Sequence, residues 1–339
     1  MNRLLYTFPL IFLALGLATA AHADLEDGLA AFESQDYETA LTEFTEDAEK
    51  GVALAQYNLG LMYHSALGTE QDFERAMQLL ALSAQQGVAK AQYLLGSMYD
   101  KGQGTAQDYV EAYRWYEMAA NQGDADAQYA VGTMNFYGQG KAENYPLAVE
   151  WYEKAANQGH RDSQYNLGVM HGNGFGTPND MDEAHRWFLA AGEAGSADAQ
   201  FNLGIMYQDG VGTMADPVQS VRWFMRAAEQ GMAQAQARTG IAYASGQGVA
   251  QDYVRAREWF MRAAEQGDVP AQSFLGRLYM SGLGMDEQDL VSAYMWYKIA
   301  NSNGDRDAAN VIATLRGYMD AEQIATAERQ AVTWVGRHR

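Results

Sequence analysis

A tryptophan returns every 36 residues along most of this 339-residue chain. The series is Trp115, Trp151, Trp187, Trp223 and Trp259, followed by Trp296 one residue late. A fixed period of this length indicates one supersecondary unit copied many times, so the chain is expected to fold as a stack of units. Such a stack presents an extended surface for another macromolecule and encloses no pocket by default.

Glycine, glutamine and alanine follow the same period. The repeats begin near Gly51, Gly87, Gly123, Gly159, Gly195, Gly231 and Gly267, and a small residue and then a glutamine follow four and five positions later, as in Ala55-Gln56. Ala55, Leu59 and Met62 are spaced to share one face of a first helix. Ala112, Trp115 and Ala119 share one face of a second helix. Each unit is therefore predicted to be a pair of helices.

The ends of these helices carry their own signals. The glycine that closes each repeat suits a left-handed C-terminal cap. Four aspartates stand where second helices should begin, namely Asp108, Asp180, Asp216 and Asp252. Aspartate is a favoured N-cap residue, and Glu111, three residues after Asp108, suggests a capping box.

The first 23 residues have the pattern of a secretory signal peptide. Arg3 precedes an apolar run from Leu4 to Ala18, and Ala21-His22-Ala23 fits a small-x-small cleavage site, so cleavage is expected after about Ala23. The alternative is a membrane anchor, but the run is short, Pro9 interrupts it, and acidic residues follow it. The predicted location is the periplasm, with secretion as the alternative.

One solenoid domain is predicted to follow the signal segment. Residues 24–50 form a capping hairpin of tetratricopeptide type, residues 51–304 form seven 36-residue repeats, and residues 305–339 form closing helices. The chain has no cysteine, so repeat-to-repeat burial alone must hold the fold. Its net charge of −20 argues against nucleic acid and anionic membranes as partners.

The repeat resembles a known family. The runs from Ala91 to Tyr99 (AQYLLGSMY) and from Trp115 to Ala120 (WYEMAA) carry the marks of Sel-one-like repeats (SLR), and the resemblance covers residues 51–304. It implies an all-α, right-handed α-solenoid of antiparallel helix hairpins, similar to tetratricopeptide arrays. It also implies a scaffold or adaptor role. Exported bacterial relatives look like envelope regulators, surface-polymer assembly factors and host-contact proteins.

Three positions of the first helix are candidates for binding a protein or peptide. The residue after the glutamine is aromatic in five repeats, at Tyr57, Tyr93, Tyr129, Tyr165 and Phe201, and becomes Ala237 and Ser273 in the last two. In the tetratricopeptide register this position faces the concave groove, where rigid aromatic rings give contact area at low entropic cost. The alternative is that the rings pack sideways and only thicken the wall of the solenoid.

Polar residues flank these rings. Asn58, Asn166 and Asn202 occupy the next position, where tetratricopeptide domains that clamp a carboxylate also have asparagine. The groove positions are not basic, so the asparagines are expected to bond to the backbone of a neighbouring repeat instead. Asp126, Asp162 and Asp198 open their helices, where they complement the helix dipole and could make the groove mouth acidic. The six periodic tryptophans are predicted to be core.

No residue pattern indicates an enzyme. The five histidines beyond residue 23 form no zinc motif, and the Gly-x-Gly turns lack the preceding strand of a nucleotide site. No metal or cofactor is predicted. The predicted function is a non-enzymatic scaffold in the bacterial envelope that binds a protein or peptide on its concave face. The alternatives are an inhibitor of a membrane signalling protein and a secreted host-contact factor. A cell-wall hydrolase would need a cluster of ionisable residues in one cleft, which the sequence does not show.

Overall fold

The computed structural model describes residues 21–338, with side chains from Leu25 onward. Within this range the chain forms eighteen α-helices and no β-strand, as an all-α solenoid requires. The predicted signal peptide lies outside the described residues apart from its last three, which belong to the first helix. None of the described helices is both long and apolar enough to span a membrane.

The helices group into two compact units, which divide between Glu143 and Asn144. The first contains α1 (Ala21–Glu33), α2 (Tyr37–Glu49), α3 (Ala53–Ser65), α4 (Phe73–Gln85), α5 (Ala89–Lys101), α6 (Tyr109–Asn121) and α7 (Ala125–Tyr137). The second contains α8 (Tyr145–Ala156), α9 (Arg161–Asn173), α10 (Met181–Glu193), α11 (Ala197–Asp209), α12 (Pro217–Glu229), α13 (Ala233–Ser245), α14 (Tyr253–Glu265), α15 (Val269–Ser281), α16 (Leu290–Ser302), α17 (Ala308–Arg316) and α18 (Ala321–Arg337).

Helices alternate between two roles in both units. We call α3, α5, α7, α9, α11, α13 and α15 first helices, and we call α4, α6, α8, α10, α12, α14 and α16 second helices. Short loops join consecutive helices, which makes neighbours run antiparallel. Within each unit a second helix packs both on its own first helix and on the first helix that follows. This alternating contact is the arrangement of an α-solenoid.

The predicted N-cap aspartates hold the starts of the second helices. The Asp108 carboxylate accepts hydrogen bonds from the backbone N–H groups of Val110 and Glu111 at 2.9 and 3.1 Å. Asp180, Asp216 and Asp252 cap their helices in the same way. The suggested capping box is absent at Asp108, because its backbone N–H already donates to the Tyr99 carbonyl and Glu111 pairs with Arg114. The predicted C-terminal glycine caps are confirmed, and Gly195 after α10 has a φ of +92°.

A glycine in six of the described first helices makes room for a large side chain of the second helix that follows. A Cβ placed on Gly204 in α11 would lie 2.5 Å from the ring of Phe224 in α12, which is closer than carbon atoms can approach. The same contact joins Gly168 to Phe188, Gly240 to Phe260, Gly96 to Tyr116, Gly276 to Tyr297 and Gly60 to Leu80. The ring therefore lies directly on the backbone of the first helix, and the two helices approach closely.

The periodic tryptophans fill the seams between helix pairs. Trp115, Trp151, Trp187, Trp223 and Trp296 are buried, and Trp259 is half-buried. Trp223 belongs to an apolar cluster that joins Ala184 and Phe188 of the preceding pair to Leu203 of its own first helix. Basic side chains cover several of the indoles, as Arg226 does over Trp223 at 4.6 Å. Burial of large apolar rings between pairs supplies much of the cohesion of the stack.

A buried glutamine ties each repeat to the one before it. The Nε2 of Gln200 donates to the carbonyl of Gly192 at 2.8 Å, near the end of the preceding second helix. Its Oε1 accepts from Gln230 at 2.8 Å, at the end of its own second helix. The first of these two bonds is made by Gln56, Gln92, Gln128, Gln164, Gln200, Gln236 and Gln272. The amide thus satisfies polar groups that burial in the seam would otherwise leave unpaired.

One repeat lacks the second bond. The C-cap residue of α10 is Ala194, whereas the C-cap residue of α12 is Gln230. Alanine has no side-chain donor, so the buried Oε1 of Gln164 has no hydrogen-bond partner. An unpaired buried acceptor costs stability.

We expect Gly204→Ala to lower the free energy of unfolding by about 1–3 kcal/mol, because the added methyl group must displace the Phe224 ring. Gly172→Ala is the matched control. A Cβ at Gly172, also in a first helix, would meet nothing closer than 3.6 Å, so this variant should not lose stability. Urea denaturation followed by circular dichroism measures both. Equal effects of the two substitutions would contradict the close ring-to-backbone contact.

We expect Ala194→Gln to raise the free energy of unfolding by about 0.5–1.5 kcal/mol, because its amide supplies the donor that Gln164 lacks. The backbone at Ala194 has the same conformation as at Gln230, so the side chain can reach without strain. Ala194→Glu has the same shape but no donor at neutral pH, and it should give no gain. A stabilisation by glutamate equal to that by glutamine would rule out the hydrogen bond as the cause.

Candidate protein-binding surface

In the second unit the predicted binding residues share one open face of each first helix. In α9, Asp162, Tyr165, Asn166 and Val169 are half-buried or exposed, whereas the intervening Leu167 is buried. Their spacing of three, one and three residues places them along one stripe of the helix. In α11, the stripe consists of Asp198, Phe201, Asn202 and Ile205. We call the surface formed by these stripes in α9, α11, α13 and α15 the first-helix face.

The aromatic rings of this face rest on rings of their own helix pair. The centroid of Tyr165 lies 5.8 Å from that of Phe188, and the centroid of Phe201 lies 5.6 Å from that of Phe224. These two partners, Phe188 and Phe224, are the rings that lie on Gly168 and Gly204 of the first helices. One side of each aromatic side chain is thereby fixed while the side chain remains partly open to solvent. This arrangement combines both interpretations of the sequence, since the rings thicken the wall and also contribute to the surface.

Polar contacts link the rings to the next first helix. The Tyr165 hydroxyl lies near the side chain of Asn202, one repeat later. Burial raises the pKa of Tyr165, and the nearby Asp198 carboxylate raises this pKa further. Asn202 was expected to bond to the backbone of a neighbouring repeat, and among the described residues its side chain forms no such hydrogen bond. Burial and the Asp198 carboxylate therefore keep the Tyr165 hydroxyl neutral.

The corresponding residues of the first unit have different surroundings. Tyr57 and Asn58 are only 6% and 8% exposed, so they present little surface to a partner. Tyr93 and Tyr129 are half-buried, and Tyr93 packs on Tyr116 with 5.5 Å between ring centroids.

A lysine joins two acidic residues beside these rings. Lys90 Nζ lies 2.8 Å from the carboxylate of Asp124 and 3.2 Å from that of Asp126. Burial raises the pKa of Tyr93 to about 12, and the two carboxylates contribute to the shift. The predicted site residue Asp126 is therefore part of an ion-pair network in this unit.

The last two stripes of the face are basic. The position of Asn166 and Asn202 is occupied by Arg238 in α13, and Arg277 lies one turn further along in α15. Both arginines are exposed, and neither forms an ion pair with any residue in the described range. The interpretation that the groove positions are not basic is wrong for these two repeats. The groove positions were inferred from the aromatic series, which ends at Phe201, before the repeats that contain Arg238 and Arg277.

A cleft of about 470 Å³ opens beside Arg277. It is lined by Val269, Pro270, Ser273, Phe274, Arg277, Tyr297 and Asp305. Phe274 stacks on Phe260 at a centroid distance of 4.9 Å, which fixes the aromatic part of the cleft. The Ser273 hydroxyl donates to the Asp305 carboxylate, and this bond lowers the pKa of Asp305. The cleft thus combines apolar and aromatic walls with one free guanidinium group.

Two of the histidines lie in packed surroundings. His185 packs edge-on against Tyr207 at 5.2 Å, its Nε2 is buried without a partner, and burial lowers its pKa. His64 bonds to Gln103 through its Nε2, and burial also lowers its pKa. Across residues 21–338, no group of three or more acidic or histidine side chains is arranged to hold a metal ion. These histidines have the surroundings of packing residues.

Comparison with known proteins gives the repeat its identity. The Sel1 repeat family matches seven consecutive segments, at residues 53–88, 89–124, 125–160, 161–196, 197–232, 233–268 and 269–305. Among solved structures, a Sel1 repeat protein from Oxalobacter formigenes is 30% identical, covers 71% of this chain and 96% of its own length, and has a TM-score of 0.63.

A second solved structure is that of a protective antigen present in uropathogenic Escherichia coli strains, which displays an SLR fold. It is 27% identical, covers 94% of this chain and 84% of its own length, and has a TM-score of 0.51. No curated protein matches the chain. Sel1 repeat proteins are generally scaffolds for protein interactions and typically have no enzymatic activity. With seven matched repeats over residues 53–305, the chain belongs to the Sel1 repeat family.

Proposed function

We propose that the protein is a non-enzymatic scaffold of the bacterial envelope that binds a protein or peptide on its first-helix face, as the concave wall of the solenoid. The single observation that carries this proposal is the pair of fixed, half-open rings of Tyr165 and Phe201 on neighbouring first helices. Because each ring already rests on a second-helix ring, little side-chain entropy is lost when a partner covers it. Aromatic side chains held in this way are common anchors of protein interfaces.

The polar residues around the rings add selectivity to this surface. Asp198 and Asn202 border Phe201, and an interface needs such groups to position the partner's backbone and side chains. Membership in the Sel1 repeat family supports the scaffold role in general. The candidates in the first unit contribute less to this proposal, because Tyr57 and Asn58 are buried and Asp126 is paired with Lys90.

Export to the envelope rests on the first 23 residues. A basic residue, an apolar run and a small-x-small site together favour a cleaved signal peptide. Retention in the periplasm is the primary proposal. Release outside the cell is the alternative. The description of the E. coli relative as a protective antigen supports this alternative.

Photo-crosslinking tests the binding surface. We expect a photoreactive residue at Asp198, on the first-helix face, to form specific adducts with one partner in living cells. The same residue at Val218, which is 60% exposed on the second helix α12, should not. The double substitution Tyr165→Leu and Phe201→Leu should reduce the adduct yield at least about fivefold, because leucine keeps the apolar contact below but removes the aromatic surface.

Thermal melting of the double variant provides the folding control for this experiment. A reduced yield together with a lowered melting temperature would be attributed to unfolding, and milder single substitutions would then be compared. Equal adducts from positions 198 and 218, or an undiminished yield from the folded double variant, would remove the first-helix face as the binding surface.

Processing tests the proposed export. We expect intact-mass analysis of the protein from its native host to show a chain that begins near Asp24, because the cleavage site follows Ala23. The protein should appear in the periplasmic fraction. Recovery from the culture medium would favour the secreted alternative, and an unprocessed chain in the cytoplasm would contradict export.

A further inference from the structure

The first-helix face of the second unit changes the sign of its charge from one end to the other. The stripes of α9 and α11 carry Asp162 and Asp198, whereas those of α13 and α15 carry Arg238 and Arg277. Asp162 is partly neutralised by the adjacent Arg161 at 3.1 Å, so Asp198 is the principal negative group. A partner lying across these helices therefore meets acidic and aromatic surface first and basic surface last.

Arg277 has the surroundings of a recognition residue. It is exposed beside the cleft formed by Ser273, Phe274, Tyr297 and Asp305. The carboxylate of Asp305 already accepts hydrogen bonds from Ser273 and from the backbone N–H groups of Asp307 and Ala308. Asp305 is thereby committed to the start of α17, and the guanidinium of Arg277 is left without a carboxylate. An exposed guanidinium without a carboxylate partner can form a charge-assisted contact with an acidic group of a ligand.

The walls of the cleft determine which ligand side chain can lie next to the ligand's acidic group. Val269, Pro270 and Phe274 give an apolar and aromatic lining, which suits a hydrophobic side chain. Phe274 is fixed by its stacking on Phe260, so the cleft does not need to reorganise when a ligand enters. A peptide that places an apolar residue next to a carboxylate satisfies both the walls and the arginine.

We infer that the protein binds an extended acidic segment of its partner in one direction, with an apolar residue and an adjacent Asp or Glu of that segment in the Arg277 cleft. Arg238 on the preceding first helix contributes to the same basic end. The neutral or basic part of the segment lies toward Asp198 and the rings of Phe201 and Tyr165. This inference rests on the proposed function, because it assigns polarity and chemistry to a ligand of the first-helix face.

Selection from a random peptide display library tests the inference and does not require the partner to be identified first. The full chain beyond residue 23 is the target. We expect enriched peptides to carry Asp or Glu next to an aromatic or aliphatic residue. Selection on Arg277→Glu should replace that acid by Lys or Arg, since the charge at the cleft is reversed. Arg222→Glu, an exposed arginine on the second helix α12, is the matched control and should leave the acidic preference unchanged.

Affinities of one selected peptide then test the contact itself. We expect Arg277→Gln to weaken binding about tenfold in a fluorescence-anisotropy titration, a typical loss for a charge-assisted contact. Changing the peptide's acidic residue to its amide should cost the wild-type protein about the same factor and the Arg277→Gln variant almost nothing. Arg277 is exposed, so thermal unfolding of the variant should match that of the wild type.

The peptide selection distinguishes failure of the proposed function from failure of the inference about the acidic ligand. If no peptide is enriched on the wild-type protein, both the first-helix face as a peptide site and the inference fail. If peptides are enriched, compete with the crosslinked partner and show no acidic preference, the proposed function stands and the inference is overturned. A preference that shifts equally in Arg277→Glu and Arg222→Glu reflects only net charge and also overturns the inference.

Discussion

The buried glutamine between repeats is the constraint on which the stack depends. Each seam removes backbone carbonyls and side-chain amides from water, and these groups must find partners inside the protein. Gln200 satisfies the carbonyl of Gly192 in one repeat and the amide of Gln230 in its own. Because this amide spans three helices, it fixes their relative positions as well as their polar groups. The small residues and the tryptophan can then close the remaining space.

Because other positions of the first helix form the interior, the residues of the first-helix face can differ between repeats. Within a first helix, the alanine, glutamine, leucine, glycine and methionine positions serve the interior. The stripe that includes Phe201 and Asn202 lies between them and is half-buried, so its residue types are less constrained than those of the interior. The position of Phe201 is therefore tyrosine or phenylalanine in some repeats and alanine or serine in others. The position of Asn202 likewise changes to arginine in the next repeat. A repeat of nearly constant interior can thus carry a surface whose chemistry differs from helix to helix.

The fold could be predicted from the sequence because its signals repeat. Seven copies of one pattern show which positions are always small, apolar or cap-forming, and Asp108 and Gly195 act as expected. The pairing of Gln200 with Gln230 was not predicted, although Gln86, Gln122, Gln158, Gln230 and Gln266 follow a common register that could have revealed it. The binding surface was harder to predict, because burial at a given register depends on the neighbouring repeats. Tyr57 is buried while Phe201 is half-open, and Arg277 lies beyond the end of the aromatic series.

Because the Oε1 of Gln164 is unpaired, the repeats are expected to differ in local stability. In a linear array, the free energy of folding is approximately a sum of the intrinsic energy of each unit and the coupling between neighbours. The unit at residues 161–196 has one polar tie fewer than the units that follow it. Partial openings of the array would therefore begin in this unit more often than in its neighbours. Since the same unit carries Tyr165, the ordering of the aromatic surface and the local stability of the array are thermodynamically linked.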